Sequence, residues 1–182
     1  GYFAVRGLPV VADNPSGQPT TTRSTGGPST GTTPSTAPSV PMAMDPIPIA
    51  GISVYNPSDN LDEGSSWAGR AIDGDLTTMW RSRWSGRADW AGRKNGVGLI
   101  ADLGSPRDVG RIVLTLPQAS QDLSIYITNS PTIAGSGPVQ TVPNASGEVT
   151  ISPGQSVKGQ YVIVYITRMG LEQAPSQYRA MI

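Results

Sequence analysis

The sequence contains no cysteine and no histidine, a single phenylalanine, and only 14% charged residues among its 182. Without histidine there is no His-based triad, no His general base, and almost none of the usual zinc or iron site types. The lack of cysteine fits a reducing compartment and equally fits a secreted bacterial domain that never relied on disulfides, so this count leaves the compartment open. Thirteen basic and thirteen acidic residues cancel. No global field therefore draws the chain to nucleic acid or to a membrane surface. No apolar run reaches the roughly 18 residues that a membrane-spanning helix needs. The opening Gly1–Val11 is interrupted by Arg6 and Pro9 and lacks a small-residue cleavage site, so it does not read as a signal peptide. It reads as the stub of a longer protein or as a frayed natural terminus.

From Pro15 to Pro41, 23 of 27 residues are Pro, Gly, Ser or Thr. Such a stretch has too little apolar surface to offset the entropy of ordering it, and its spaced prolines favour extended, solvated chain. The expectation is a disordered Pro/Ser/Thr/Gly-rich linker over residues 1–45, of the kind often found outside cells, followed by one domain at 46–182. That remainder is long enough to bury a stable core without staples.

After Pro46 the pattern changes to short runs rich in Val, Ile, Tyr and Thr, punctuated by Gly, Pro, Asn and Ser. Strands are expected at 52–55, 97–103, 109–116, 123–128, 148–151 and 161–167. The alternation at Leu123, Ile125 and Ile127 puts those three on an inward face, while Tyr161–Ile166 is apolar on both faces and should run through the centre of a sheet. One weak helical stretch, 65–72, is opened by Ser65 or Ser66 as N-cap and stopped at Gly74. The fold class is all-β: an antiparallel sandwich or jelly roll.

Residues 71–80 read Ala71-Ile72-Asp73-Gly74-Asp75-Leu76-Thr77-Thr78-Met79-Trp80. This resembles the Ala-x-Asp-Gly-Asp-x-x-Thr-x-Trp stretch of discoidin-like domains, also called factor V/VIII type C or galactose-binding-like. The strands at 97–104 and 109–114 resemble those that follow it in that family. The resemblance implies a non-catalytic binding module and a structural Ca²⁺ at Asp73, Asp75 and Thr78, whose carboxylate and hydroxyl oxygens suit a hard cation. Relatives often add a glutamate from the last strand, and no such residue occurs in Tyr178–Ile182, so that strand is expected to be cut short. The alternative is that Asp73 and Thr78 cap the turn without metal.

Trp80 takes the position that packs beneath this motif in relatives. Trp84 and Trp90 lie instead in a segment, 81–94, with five bases against one acid. Two indoles beside Arg83 and Arg87 suit stacking on a sugar ring and holding an anion. The competing reading has the Trp residues plugging one end of the sandwich and the Arg side chains solvated.

A narrower resemblance joins the long linker, Pro46-Ile47-Pro48-Ile49, the discoidin-like motif and Lys94-Asn95-Gly96-Val97-Gly98-Leu99. Together they are similar to the extracytoplasmic C-terminal domain of actinobacterial MviN-type lipid II flippases. This implies the exposed domain of a membrane-anchored cell-envelope protein, with cell-wall glycan or a lipid-linked peptidoglycan precursor as ligand. The alternative partner is an envelope protein docked through the same sandwich. Enzymatic motifs are missing: there is no Gly-x-Ser-x-Gly, no phosphate-binding Gly-rich loop and no Ser-x-x-Lys pairing, and no pair of acids stands out as a glycosidase couple.

Overall fold

The computed structural model describes residues 2–7 and 45–182. Its longest element is one extended path, and the other strands are arranged around it. Strands β1 (Tyr2–Gly7), β2 (Pro46–Ile47) and β3 (Gly51–Tyr55) precede β4 (Val97–Thr128), which is followed by β5 (Gln140–Ile151), β6 (Val157–Arg168), β7 (Gly170–Gln173) and β8 (Gln177–Arg179). The three strands expected between 97 and 128 are successive legs of β4. Register shifts after Asp102 and after Leu116 mark the corners between them.

The legs serve two layers, and every pairing is antiparallel. In one layer β6 is central: the first leg of β4 lies on one side (Val97↔Ile166, Asp102↔Tyr161) and the third on the other (Leu123↔Ile166, Thr128↔Tyr161). β3 covers the outer edge of the first leg. In the other layer the middle leg pairs with β1 (Tyr2↔Thr115 to Arg6↔Arg111) and with the end of β5 (Ile112↔Ile151). Because side chains alternate along a strand, each layer presents one apolar face to the other. Leu99, Leu123, Ile125, Val162 and Val164 from the first layer meet Phe3, Ile112, Leu114 and Ile151 from the second in one core. The structure is the expected antiparallel β-sandwich, with Leu123, Ile125 and Ile127 facing inward and β6 central.

The outer face of the first layer carries a second, smaller cluster, in which Tyr55 and Tyr165 meet edge to face at 5.7 Å. The Tyr55 hydroxyl accepts the Ile133 N–H at 3.2 Å, pinning a loop across that face. Burial pushes the Tyr165 phenol up to about 12.

Two expectations require correction. The domain does not begin at residue 46: Tyr2–Gly7, assigned by composition to the linker, is a strand of the sandwich, with Phe3 and Val5 only 2% and 1% exposed. Residues 8–44, which hold the rest of the expected linker, lie outside the described residues. At 65–72 the chain forms a 3-10 helix, Ser65–Ala71, whose cap is Gly64 and neither serine. Gly64 sits at φ 82°, where an added Cβ would stand 2.2 Å from the Arg81 carbonyl oxygen, so glycine is required there. Asp62 accepts the Ser65 N–H at 2.8 Å and so takes up the first free donor of the turn.

Candidate functional site

The segment from Trp80 to Ser85 runs antiparallel to Tyr178–Ile182. Trp80 and Ile182 exchange backbone hydrogen bonds at 2.7 and 3.1 Å, and Ser85 and Tyr178 do so at 2.9 Å in both directions. The buried amide of Gln121 fixes the opposite strand by bonding both backbone groups of Met181 at 2.9 Å. Period-two alternation then buries Trp80 and Ser82 and turns Arg81 and Arg83 outward. Trp80 is fully buried, and its indole N–H donates to the Glu63 carbonyl at 3.0 Å, as its place beneath the motif implies.

Glu63 ties this edge to the loop before β4. Its side chain is 2% exposed, with Oε1 at 2.5 Å from Lys94 Nζ and Oε2 accepting the Arg83 N–H at 2.9 Å. Lys94, itself 6% exposed, also reaches Asp59 at 3.1 Å. Asp59 accepts the Asn56 amide at 2.6 Å and the Leu61 N–H at 3.0 Å. The Asn56 bond, with help from Leu61 and Lys94, holds the Asp59 carboxyl below the usual range and keeps it ionised. The result is a largely buried ammonium shared by two carboxylates.

Above this group lies a hollow of about 150 Å³, lined by Asp59, Glu63, Arg83, Trp84, Trp90 and Lys94 among others. It is smaller than the roughly 300–1,000 Å³ of sites that enclose drug-sized ligands, so it suits one edge or face of a ligand. Trp84 is 60% exposed at this hollow, whereas Trp90 is 4% exposed and belongs to the core. Trp90 and Ala91 both have positive φ, 53° and 55°, a conformation that costs a non-glycine residue about 1–3 kcal/mol. Asp89 accepts the Ala91 N–H at 3.1 Å and Arg93 Nε donates to the Trp90 carbonyl at 3.3 Å, which helps to maintain that geometry. The Trp90 indole N–H is buried and has no acceptor among the described residues.

Of the four residues expected to bind a ligand, the structure brings together Arg83, Trp84 and Trp90. Arg87 does not line the hollow. It makes a two-point ion pair with Asp89 at 3.0 and 2.9 Å, which lowers the Asp89 carboxyl to about 2 and raises the guanidinium. The Arg83 guanidinium makes no hydrogen bond or ion pair to the described residues. Asp59 and Glu63 were not legible as part of this site, because their link to Lys94 spans more than thirty residues.

In the Asp73–Thr78 turn, Gly74 at φ 79° lets the chain double back. Thr78 Oγ1 lies 2.7 Å from Asp73 Oδ2, 3.1 Å from the Asp75 carbonyl and 3.5 Å from the Arg70 carbonyl. Asp73 also accepts the Asp75 N–H at 2.9 Å, and Asp75 accepts the Thr77 N–H at 2.8 Å. These bonds hold both carboxyls below the ordinary range, Thr78 being the largest cause for Asp73 and Thr77 for Asp75. The donor set fits calcium in kind, being all oxygen: Asp73 and the Asp75 and Arg70 carbonyls gather about Thr78 Oγ1, while Asp75 Oδ1 is bonded to the N–H and hydroxyl of Thr77. Among the described residues no three His, Cys, Asp or Glu side chains are placed together so as to hold a metal ion, so backbone carbonyls and water would have to supplement the two carboxylates.

No protein-family model matches the chain, and no curated protein matches its sequence. Solved structures do match. A chitosan-binding module of a chitosanase/glucanase from Paenibacillus sp. IK-5 aligns over 71% of this chain and 88% of its own, with 24% identity and a TM-score of 0.51. A selenomethionine-labelled mutant of that module gives 22% identity and the same TM-score, over 71% and 87%. The family 32 carbohydrate-binding module of C. perfringens NanJ, solved with galactose, aligns over 75% and 92% at 19% identity, with a TM-score of 0.47. The architecture shared with the chitosan-binding module is the antiparallel β-sandwich.

Proposed function

We propose that the domain is a non-catalytic glycan-binding module whose ligand stacks on Trp84. One observation carries the reading: an exposed indole, Trp84, stands at a hollow that is also lined by Trp90 and by Arg83, whose guanidinium makes no hydrogen bond or ion pair to the described residues. An aromatic face against the apolar side of a sugar ring, with donors aimed at its oxygens, is the usual division of labour at such sites. The left-handed conformation at Trp90 and Ala91 is the kind of stored strain that collects at binding sites. Both carboxylates in the hollow are bonded to Lys94, and Asp59 is held ionised, so neither is placed as a general acid. A chitosan-binding module carries the same fold, in keeping with a saccharide ligand, but the site carries the proposal.

The finer reading is a cell-wall glycan or lipid-linked peptidoglycan precursor, bound outside the cytoplasm by the exposed domain of a membrane-anchored protein of the MviN type. Among the described residues no helix is long and apolar enough to cross a membrane. Asp73, Asp75 and Thr78, with the Arg70 and Asp75 carbonyls, are proposed to hold a structural Ca²⁺ that stiffens the turn ahead of Trp80.

Titration with soluble peptidoglycan fragments, followed by tryptophan fluorescence, tests the ligand. The expected result is a saturable change that disappears in Trp84→Ala while the melting temperature stays within about 1 °C, since Trp84 is largely exposed. Trp90→Ala is no control, because removing a core indole costs about 3–5 kcal/mol. Unchanged affinity in Trp84→Ala, or no binding of any fragment, turns the reading toward a protein partner.

A further inference from the structure

Resting on the glycan reading above, we infer that the ligand is an extended, carboxylate-bearing oligosaccharide that also occupies a second subsite, built around Trp67. A second hollow of about 220 Å³ is lined by Asp62, Ser66, Trp67, Arg81, Arg83 and Arg179 among others. Arg83 lines both hollows, so the two adjoin at this residue. Each offers an indole to solvent, Trp84 at 60% exposure and Trp67 at 38%. Trp67 is steadied by the Arg70 guanidinium, 5.2 Å above its ring. Two indoles in adjoining hollows call for two stacked rings, one at each end of a chain of sugars.

The charge at the junction selects the kind of sugar. The acids around the groove are already engaged: Asp59 and Glu63 with Lys94, Glu172 with Arg81 at 3.1 Å and with Arg179 at 2.5 Å, and Asp62 with the N–H and hydroxyl of Ser65. The Arg83 guanidinium has no hydrogen-bonded or ion-paired acid among the described residues; Asp62 acts on it only through space, and least among the causes that lower the Asp62 carboxyl. A planar, fully charged fork at the junction of two sugar-sized hollows is matched by a carboxylate on the bridging residue, as in a uronic acid or a lactyl-substituted amino sugar. Neutral glycans of the same length leave that charge unused.

The probes are alternating N-acetylglucosamine–glucuronate oligosaccharides of two and eight sugars and a neutral chitin oligosaccharide matching the longer one, titrated calorimetrically into the full chain at low salt. The octasaccharide is expected to bind at least about fivefold tighter than the disaccharide and than the neutral chain, the second preference fading as salt screens the contact. Arg83→Gln should bring the acidic-to-neutral ratio close to one. Trp67→Ala should bring the long-to-short ratio close to one in a chain that still unfolds cooperatively, and Trp67→Phe should restore part of the ratio. Equal affinity for acidic and neutral chains, or a Trp67→Ala variant that keeps the length dependence, overturns the inference and leaves the Trp84 site standing. No binding of any of the three glycans overturns the inference, and the glycan reading falls with it only if Trp84-dependent binding of peptidoglycan fragments is absent as well.

Discussion

Replacing Lys94 by methionine removes the cation that two carboxylates share while keeping a side chain of similar length. Asp59, at 32% exposure, can be solvated, but Glu63 at 2% cannot, and it is left as an uncompensated buried charge. Breaking a buried pair in this way costs about 3–5 kcal/mol. For a domain near 150 residues, each kcal/mol lowers the melting temperature by about 2–4 °C, so Lys94→Met should melt roughly 6–20 °C lower. Removing the charge on the other side should recover much of that loss, because Lys94→Met/Glu63→Gln no longer buries an unpaired ion. The assay is urea unfolding of wild type, both single variants and the double variant, read by intrinsic fluorescence and closed as a cycle. A double variant no more stable than Lys94→Met, or a single variant within about 0.5 kcal/mol of wild type, would show that Glu63 is not held by Lys94 and refute the reasoning.

Three further outcomes are expected. Saturating Ca²⁺ at about 100 times its dissociation constant contributes about 2.7 kcal/mol by linkage, seen as a rise of roughly 5–10 °C in melting temperature; the rise should be absent in Asp73→Asn, and a chelator-insensitive melt in calcium-loaded protein argues for a metal-free turn. Phe3→Ala should destabilise the sandwich by about 3–5 kcal/mol in denaturant unfolding, whereas a strand that contributed nothing to the core would leave stability unchanged. The Asp89 carboxyl, lowered to about 2 chiefly by the hydrogen bond from Arg87, stabilises the fold above its unfolded pKa near 4. That contribution is lost as pH falls from about 4 toward 2, so Asp89→Asn should flatten the acid limb of a melting-temperature profile; an identical limb in the variant would refute the assignment.

The layers of the sandwich were legible because their signal is local. The alternation at Leu123, Ile125 and Ile127 and the doubly apolar run in β6 each record, within a few residues, which faces are covered. The Asp73–Thr78 turn was legible for the same reason: Gly74 and its flanking carboxylates are neighbours in sequence as well as in space. β1 was not, since nothing in Phe3-Ala4-Val5 states that its partner is Ile112–Leu114, and a long polar stretch separates it from the rest of the fold. The three strands expected between 97 and 128 proved to be one path, because the residues at its corners satisfy strand pairing even where the pattern breaks. In the candidate site, Trp84 and Arg83 stood out from the local composition of 81–94, and both line the hollow. Glu63 and Asp59 were missed because a buried ion pair is a property of two distant segments, and neither acid differs in sequence from a solvated one. Trp90 was expected beside Trp84 as a ligand-binding indole but lies in the core, and the left-handed backbone that carries it there is not announced by its own sequence.

The hydrogen bond from the Gly7 N–H to the Asp45 carbonyl, 2.9 Å long, joins the two ends of everything between them. Gly7 and Asp45, far apart in sequence, are therefore neighbours in space, and the ladder continues with Arg6 opposite Pro46 and Val5 opposite Ile47. The spacing of β1 and β2 is set by that ladder itself. A chain severed between the two strands would still have the pairings of β1 with β2 and with β4 to hold its first strand in the sandwich.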